Sequence, residues 1–134
     1  MVKNESSEDY LESILMLSKE KPVVRSVDIA SKLGYKKSSV SIAMKNLREQ
    51  GHITVSPEGY ISLTESGLKI ANKVYDRHEV ITDWFVSLGV NPVVAEDDAC
   101  HMEHILSDET YSAYKIKEYI KNNANSVAVC IFFR

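Results

Sequence analysis

Between Gly51 and Thr64 the hydrophobic period drops from that of a helix to that of a strand, and it returns to a helical period afterwards. Upstream of this break, Tyr10, Leu11, Ile14, Leu15 and Leu17 recur at helical spacing. That first helix is expected to be capped by Ser6 or Ser7, with Glu8 and Asp9 in its first turn, and to end at Lys21-Pro22. Ser26 opens a short second helix, Val27 to Leu33, which Gly34 stops. A turn from Tyr35 to Lys37 leads to a third helix whose apolar positions are Val40, Ala43, Met44 and Leu47. Then His52–Val55 and Tyr60–Leu63 alternate around Ser56-Pro57-Glu58-Gly59, which reads as a β-hairpin with a four-residue loop. Two helices, a turn, a third helix and a hairpin make the order of a winged helix-turn-helix. The plainer alternative is a three-helix bundle with a Ser cap.

Beyond the hairpin, Thr64 caps a long helix. Ala71, Val74, Tyr75, His78, Ile81, Phe85 and Leu88 form one stripe on it, and Gly89 ends it. Asn91-Pro92 starts another helix, expected to reach about Leu106, and Ser107 caps a last one to roughly Lys121. The fold class is therefore mainly α. A winged helix-turn-helix with a small β-hairpin wing is expected over 1–64, and an all-helical domain over 65–123. In the tail, 124–134, Ser126 to Phe133 is apolar and strand-like without polar alternation, an aggregation hazard if exposed.

Composition narrows the function. At 134 residues with 44% apolar and 26% charged residues, the chain has the make-up of a soluble globular protein. No apolar run approaches the roughly 20 residues of a bilayer span, and the polar, acidic start is no secretory signal. Two cysteines, Cys100 and Cys130, do not make a disulfide framework, so a reduced, cytoplasmic setting is expected. The net charge of -3 is unevenly placed. Within 25–50, six basic residues (Arg25, Lys32, Lys36, Lys37, Lys45, Arg48) face two acidic ones, Asp28 and Glu49. A basic region on an acidic body suits a polyanion at one end, although a charge run is also the usual make-up of a solvated face. Lys36, Lys37, Ser38, Ser39 and Ser41 gather where the third helix begins. There, unsatisfied backbone N–H groups and short hydroxyls suit phosphates and base edges. With Arg25 and Lys45 they are the expected contacts to double-stranded DNA.

A second group of residues suits a metal ion. Asp9 and Glu12, spaced i, i+3, share one face of the first helix. His78 lies inside an apolar stripe and so points inward. Cys100, Glu103 and His104, spaced i, i+3, i+4, project from one side of the next helix. Singly, each has a bland explanation: a satisfied core histidine, a small buried thiol, a solvated Glu-His pair. Together they offer N, O and S donors suited to a first-row ion such as Fe2+ or Mn2+. Structural zinc fits less well, with one Cys in the group and no CxxC.

The chain resembles the diphtheria toxin repressor and manganese transport regulator family of metal-activated bacterial repressors, over about residues 7–120. The resemblance rests on Glu8-Asp9-Tyr10-Leu11-Glu12, Val27-Asp28-Ile29-Ala30, Ser38-Ser39-Val40-Ser41 and Leu63-Thr64-Glu65-Ser66-Gly67. It rests most on Arg77-His78-Glu79 and the run Asp98 to Ser107. It implies a homodimer gripping a palindromic operator, with Asp9, Glu12, His78, Cys100, Glu103 and His104 at the ligand positions. Asp9 and Glu12 resemble manganese regulators, whereas Cys100 resembles iron regulators. Thr82 stands where relatives often have a carboxylate that helps a second ion, and Ile42 where they often have a polar base-reading residue. The chain also stops short of the SH3-like domain of the longer iron regulators.

The expected function is therefore a metal-dependent transcriptional regulator, not an enzyme. The alternatives are a winged-helix regulator indifferent to metal and, remotely, a small metallohydrolase. Against the hydrolase, the sequence has no HExxH, no nucleophile elbow and no phosphate-cradling Gly loop.

Overall fold

The computed structural model describes residues 2–122, and the side chains in that span other than those of residues 2–6, 119, 120 and 122. The elements in order are α1 (Val2–Glu20), α2 (Ser26–Leu33), α3 (Lys37–Glu49), β1 (Ile53–Val55), β2 (Ile61–Leu63), α4 (Glu65–Ser87), α5 (Pro92–Met102) and α6 (Asp108–Asn122). The expected architecture is present: a helix-turn-helix with a two-stranded wing, followed by helices. The strand-like reading of Ser126 to Phe133 falls outside the described residues. Compact packing divides the chain between Asp76 and Arg77, inside α4.

The first unit is built by burial of apolar faces. Leu11 and Ile14 of α1, Ile29 of α2, Val40 and Leu47 of α3, Ile53 and Ile61 of the wing and Ala71 of α4 share one core. Each full burial of a Leu- or Ile-sized side chain is worth about 1.5–3 kcal/mol. The wing pairs antiparallel with Ile53 opposite Leu63 and Val55 opposite Ile61, which turns Ile53 and Ile61 inward. One backbone bond, from Ile61 N–H to the Val24 carbonyl (2.8 Å), ties the wing to the segment before α2.

Gly67 explains the Thr-Glu-Ser-Gly run after the wing. A Cβ at this position would overlap the carbonyl oxygen of His52. The Thr64 hydroxyl donates to the Gly51 carbonyl (2.6 Å) and accepts from Gly67 N–H (3.3 Å). The start of α4 therefore rests directly on the backbone that leads into β1.

Five boundaries differ from the sequence reading. α1 begins at Val2 rather than at a Ser6 or Ser7 cap, because no Gly or Pro before Ser6 interrupts it. The N-cap of α2 is Arg25, with Ser26 already helical. There the Asp28 carboxylate accepts from Arg25 N–H (2.9 Å). α3 starts at Lys37, one residue earlier than the turn implied. The wing's loop is Ser56–Tyr60, because the Tyr60 N–H goes to the Ser56 side chain (3.0 Å) and the ladder closes at Val55 and Ile61. α5 ends at Met102, not near Leu106; Ile105 and Leu106 N–H both turn back to the Met102 carbonyl (3.0 and 3.1 Å).

The second unit has a small apolar interior. Ile81, Ala95 and Ala99 are buried, and Trp84 stacks on Phe85 and meets Tyr114, with ring centroids 5.1 and 5.0 Å away. Leu88, expected on the buried stripe, is 66% exposed because the helix ends just before it. Ser107 caps α6 as expected, accepting from Thr110 N–H (3.1 Å). No described helix is long and apolar enough to cross a membrane.

Candidate metal centre and nucleic-acid interface

Within the second unit, α4 and α5 bring His78, Cys100 and Glu103 together. One nitrogen, sulfur or oxygen atom from each lies within 4.8 Å of the others. His78 Nδ1 is 3.1 Å from Glu103 Oε2 and 3.8 Å from Cys100 Sγ. His78 is buried on the α4 stripe, as its spacing implied, and the Glu103 side chain is wholly buried. Cys100 is a free thiol on the exposed side of the cluster. Glu103 is the C-cap of α5, held by its own N–H to the Ala99 carbonyl (3.0 Å), and His104 follows in the turn. His104 Nε2 stands 3.4 Å from Glu103 Oε1.

The electrostatics of this group are unusual for a protein interior. Hydrogen bonding to Cys100, and then to Glu103, outweighs burial and pushes the His78 imidazole up to about 10. Glu103 Oε1 is buried with no hydrogen-bond partner among the described residues, and His104 Nε2 is 3.4 Å away. A buried carboxylate oxygen without a hydrogen bond is costly unless a cation meets it. An imidazole, a thiol and a carboxylate gathered within 4.8 Å of one another fit a divalent transition ion.

Asp9 and Glu12 belong to α1 in the first unit; Asp9 is half-buried and Glu12 buried. Two residues next to the centre were not singled out as site residues from sequence. Glu96 Oε1 lies 3.7 Å from His78 Nε2, on the side of the ring away from Cys100. Its spacing of four from Cys100 places both on one face of α5, a signal that was available. Arg77, buried beside His78, donates to the carbonyls of Glu103 and Leu106.

The expected DNA contacts all lie on the surface of the first unit. Arg25, Lys36, Lys37, Ser38, Ser39, Ser41 and Lys45 are exposed. Val40, Met44 and Leu47 hold the opposite face of α3 in the core, so Ser38, Ser41 and Lys45 point outward with Ile42, which is 63% exposed. Lys36, the N-cap, makes no side-chain cap, which leaves the first N–H groups of α3 without one. The Arg25 guanidinium donates to the Tyr60 hydroxyl of the wing (3.2 Å) and lies 5.0 Å from its ring.

Residues 4–60 match the family model "Iron dependent repressor, N-terminal DNA binding domain", and residues 64–124 match "Iron dependent repressor, metal binding and dimerisation domain". The chain is 35% identical over 114 residues to the transcriptional regulator MntR of Escherichia coli, a match covering 85% of this chain and 74% of that protein. The chain belongs to the iron-dependent repressor family. As a member, it is also 37% identical over 116 residues to an HTH-type transcriptional regulator of Methanocaldococcus jannaschii, covering 84% of this chain and 92% of that one. Among solved structures, a manganese-dependent transcriptional repressor in complex with manganese superposes with a TM-score of 0.76 at 27% identity, over 83% of this chain and 51% of that chain. The T. acidophilum IdeR structure does so with a TM-score of 0.73 at 25% identity, over 84% and 53%. The chain thus spans about half the length of these two solved relatives.

Proposed function

We propose that this protein is a cytoplasmic, metal-dependent transcriptional repressor that binds operator DNA as a homodimer, with Fe2+ or Mn2+ as its activating ion. The observation that carries this reading is the His78–Cys100–Glu103 cluster, with His78 and Glu103 buried and Cys100 exposed, in a chain whose other unit is a winged helix-turn-helix. The family models support the same division of labour: residues 1–64 read DNA, and residues 65–123 dimerise and hold the ion.

His78, Cys100, Glu103 and His104, with Asp9 and Glu12 from α1, would hold the ion. Bound there, the ion would supply positive charge that offsets the negative charge of its carboxylate ligands. α1 carries two of the ligands and also contributes Leu11 and Ile14 to the core behind the reading helix. The state of α1 therefore links metal occupancy to DNA binding. The link works only if the DNA-competent state binds the ion more tightly than the other state does. On the DNA side, Lys36, Lys37 and Arg25 suit phosphates, and Ser38, Ser39, Ser41 and Lys45 face the groove from α3.

The test is a thermal melt of chelated protein with Mn2+, with anaerobic Fe2+ or with neither, run beside His78→Ala and paired with operator binding. A ligand that binds only the native state at a hundred times its Kd adds about 2.7 kcal/mol. The wild type should gain stability and DNA affinity with one of the ions, and His78→Ala should gain neither. DNA binding that ignores chelation would instead indicate a winged-helix regulator that does not respond to metal.

A further inference from the structure

Arg77 is the neighbour of His78 on α4, yet its guanidinium does not join the ligand cluster. It is only 7% exposed, and its partners lie along a connector 26 to 31 residues further on. Nη1 donates to the carbonyl of Glu103 (3.2 Å) and to that of Leu106 (2.8 Å). Nη2 pairs with the Asp108 carboxylate in the first turn of α6. The guanidinium carbon lies 4.9 Å from the centre of the Tyr111 ring. The planar fork thus grips both ends of the stretch where α5 has stopped and α6 has not begun, the stretch that carries Glu103 and His104.

Past the end of a helix, carbonyl groups lose their intrahelical partners. The Glu103 carbonyl, the first beyond α5, is taken by Arg77 instead. The Glu103 side chain therefore leaves a backbone pinned from two sides: its N–H to the Ala99 carbonyl (3.0 Å) and its C=O to Arg77. Adjacent residues of α4 thus place one ligand directly and hold the backbone of another. A guanidinium suits this task because its five donors are fixed in a plane, whereas an ammonium offers three rotatable donors on a flexible stem.

We infer that Arg77 is a positioning residue of the metal centre, setting the place of Glu103 and His104 through the Glu103 carbonyl without touching the ion. This rests on the metal-dependent reading above. Outer-shell groups that orient ligands typically contribute about tenfold to hundredfold in metal affinity.

The experiment titrates Co2+ into chelated wild type, Arg77→Met, Arg77→Lys and Asp108→Asn. It follows the absorption of a Cys100 thiolate on Co2+ and extracts Kd by competition with a chelator. Metal-free melts are run in parallel. Arg77→Met should keep the thiolate band, since Cys100 sits before the pinned turn, but bind Co2+ about tenfold to hundredfold more weakly. Arg77→Lys should recover part of that loss, and Asp108→Asn, which leaves both carbonyl contacts in place, should lose least. If Arg77→Met does not fold, Arg77→Lys carries the test: weaker affinity at an unchanged metal-free melting temperature supports the inference. Folded Arg77 variants that bind Co2+ as tightly as the wild type overturn it while the metal-dependent reading stands. A wild type that shows no Co2+ band overturns both.

Discussion

The two compact units are held together by different things. In the first, the buried residues are overwhelmingly apolar, running from Tyr10 through Ile29, Leu47 and Ile61 to Val74, with Glu12 and Ser13 as the polar exceptions. In the second, among the described residues, the buried apolar set is Ile81, Ala95 and Ala99, and the buried polar set is Arg77, His78 and Glu103. The same unit leaves Leu88, Val93, Val94, Ile105 and Ile116 more than half exposed. A reading head must keep its shape whether or not it is active, so its stability comes from its own core. A sensing unit must respond to occupancy, and a cluster of His, Cys and Glu donors with two of the three buried supplies the groups for such a response. Its exposed apolar side chains belong to the residues that match a dimerisation domain.

The contrast can be tested most strongly in the first core. Leu47 is 2% exposed, and Leu47→Ala should cost about 2–5 kcal/mol. The loss should be the same with and without metal in denaturant melts; a metal-dependent loss would break the distinction between the units. In the second unit, His78→Ala should abolish a metal-induced gain of about 2.7 kcal/mol at a hundred times Kd. Its metal-free stability should change far less than that of Leu47→Ala. Next comes Gly67→Ala, where the new methyl meets the His52 carbonyl and should cost about 1–3 kcal/mol in urea melts, again independent of metal.

The pH dependence of the metal-free protein sharpens the same point. His78 is pushed up from 6.5 to about 10, chiefly by Cys100 and then by Glu103. A pKa higher in the folded state means that the protonated ring favours folding. That contribution is complete below about pH 6.5 and is lost as pH rises toward 10. Metal-free melts across this range should fall for the wild type and stay flatter for His78→Gln. Metal affinity should move the opposite way, strengthening with pH as the proton leaves the imidazole. The smallest expected effect is on DNA. Arg25→Gln should lower the salt slope of operator binding by about one unit and leave metal affinity unchanged.

Legibility from sequence also differed between the units. The winged helix was readable because its signals are local: caps, glycine stops, helical period and the alternation on either side of Pro57. What differed there differed at the ends of elements, by five or six residues where α1 runs back to Val2 and by a single residue where α3 begins at Lys37. In the second unit the inward face of His78 and the grouping of Cys100 with Glu103 followed from helical spacing. The end of α5 did not, because Arg77 takes the Glu103 and Leu106 carbonyls across 26 and 29 residues.

Local pattern was therefore enough for the order of elements, the reading helix with its exposed Ser38, Ser41 and Lys45, and the types of donor atom offered to an ion. Each depends on residues within one or two turns of each other. Only the folded chain decided which nitrogen of His78 faces Cys100 and Glu103, that Glu96 stands behind the ring, and that Arg77 pins the turn carrying Glu103. Those are contacts between elements distant in sequence. Periodicity shows which face of a helix turns inward, but what meets that face depends on how the helices pack.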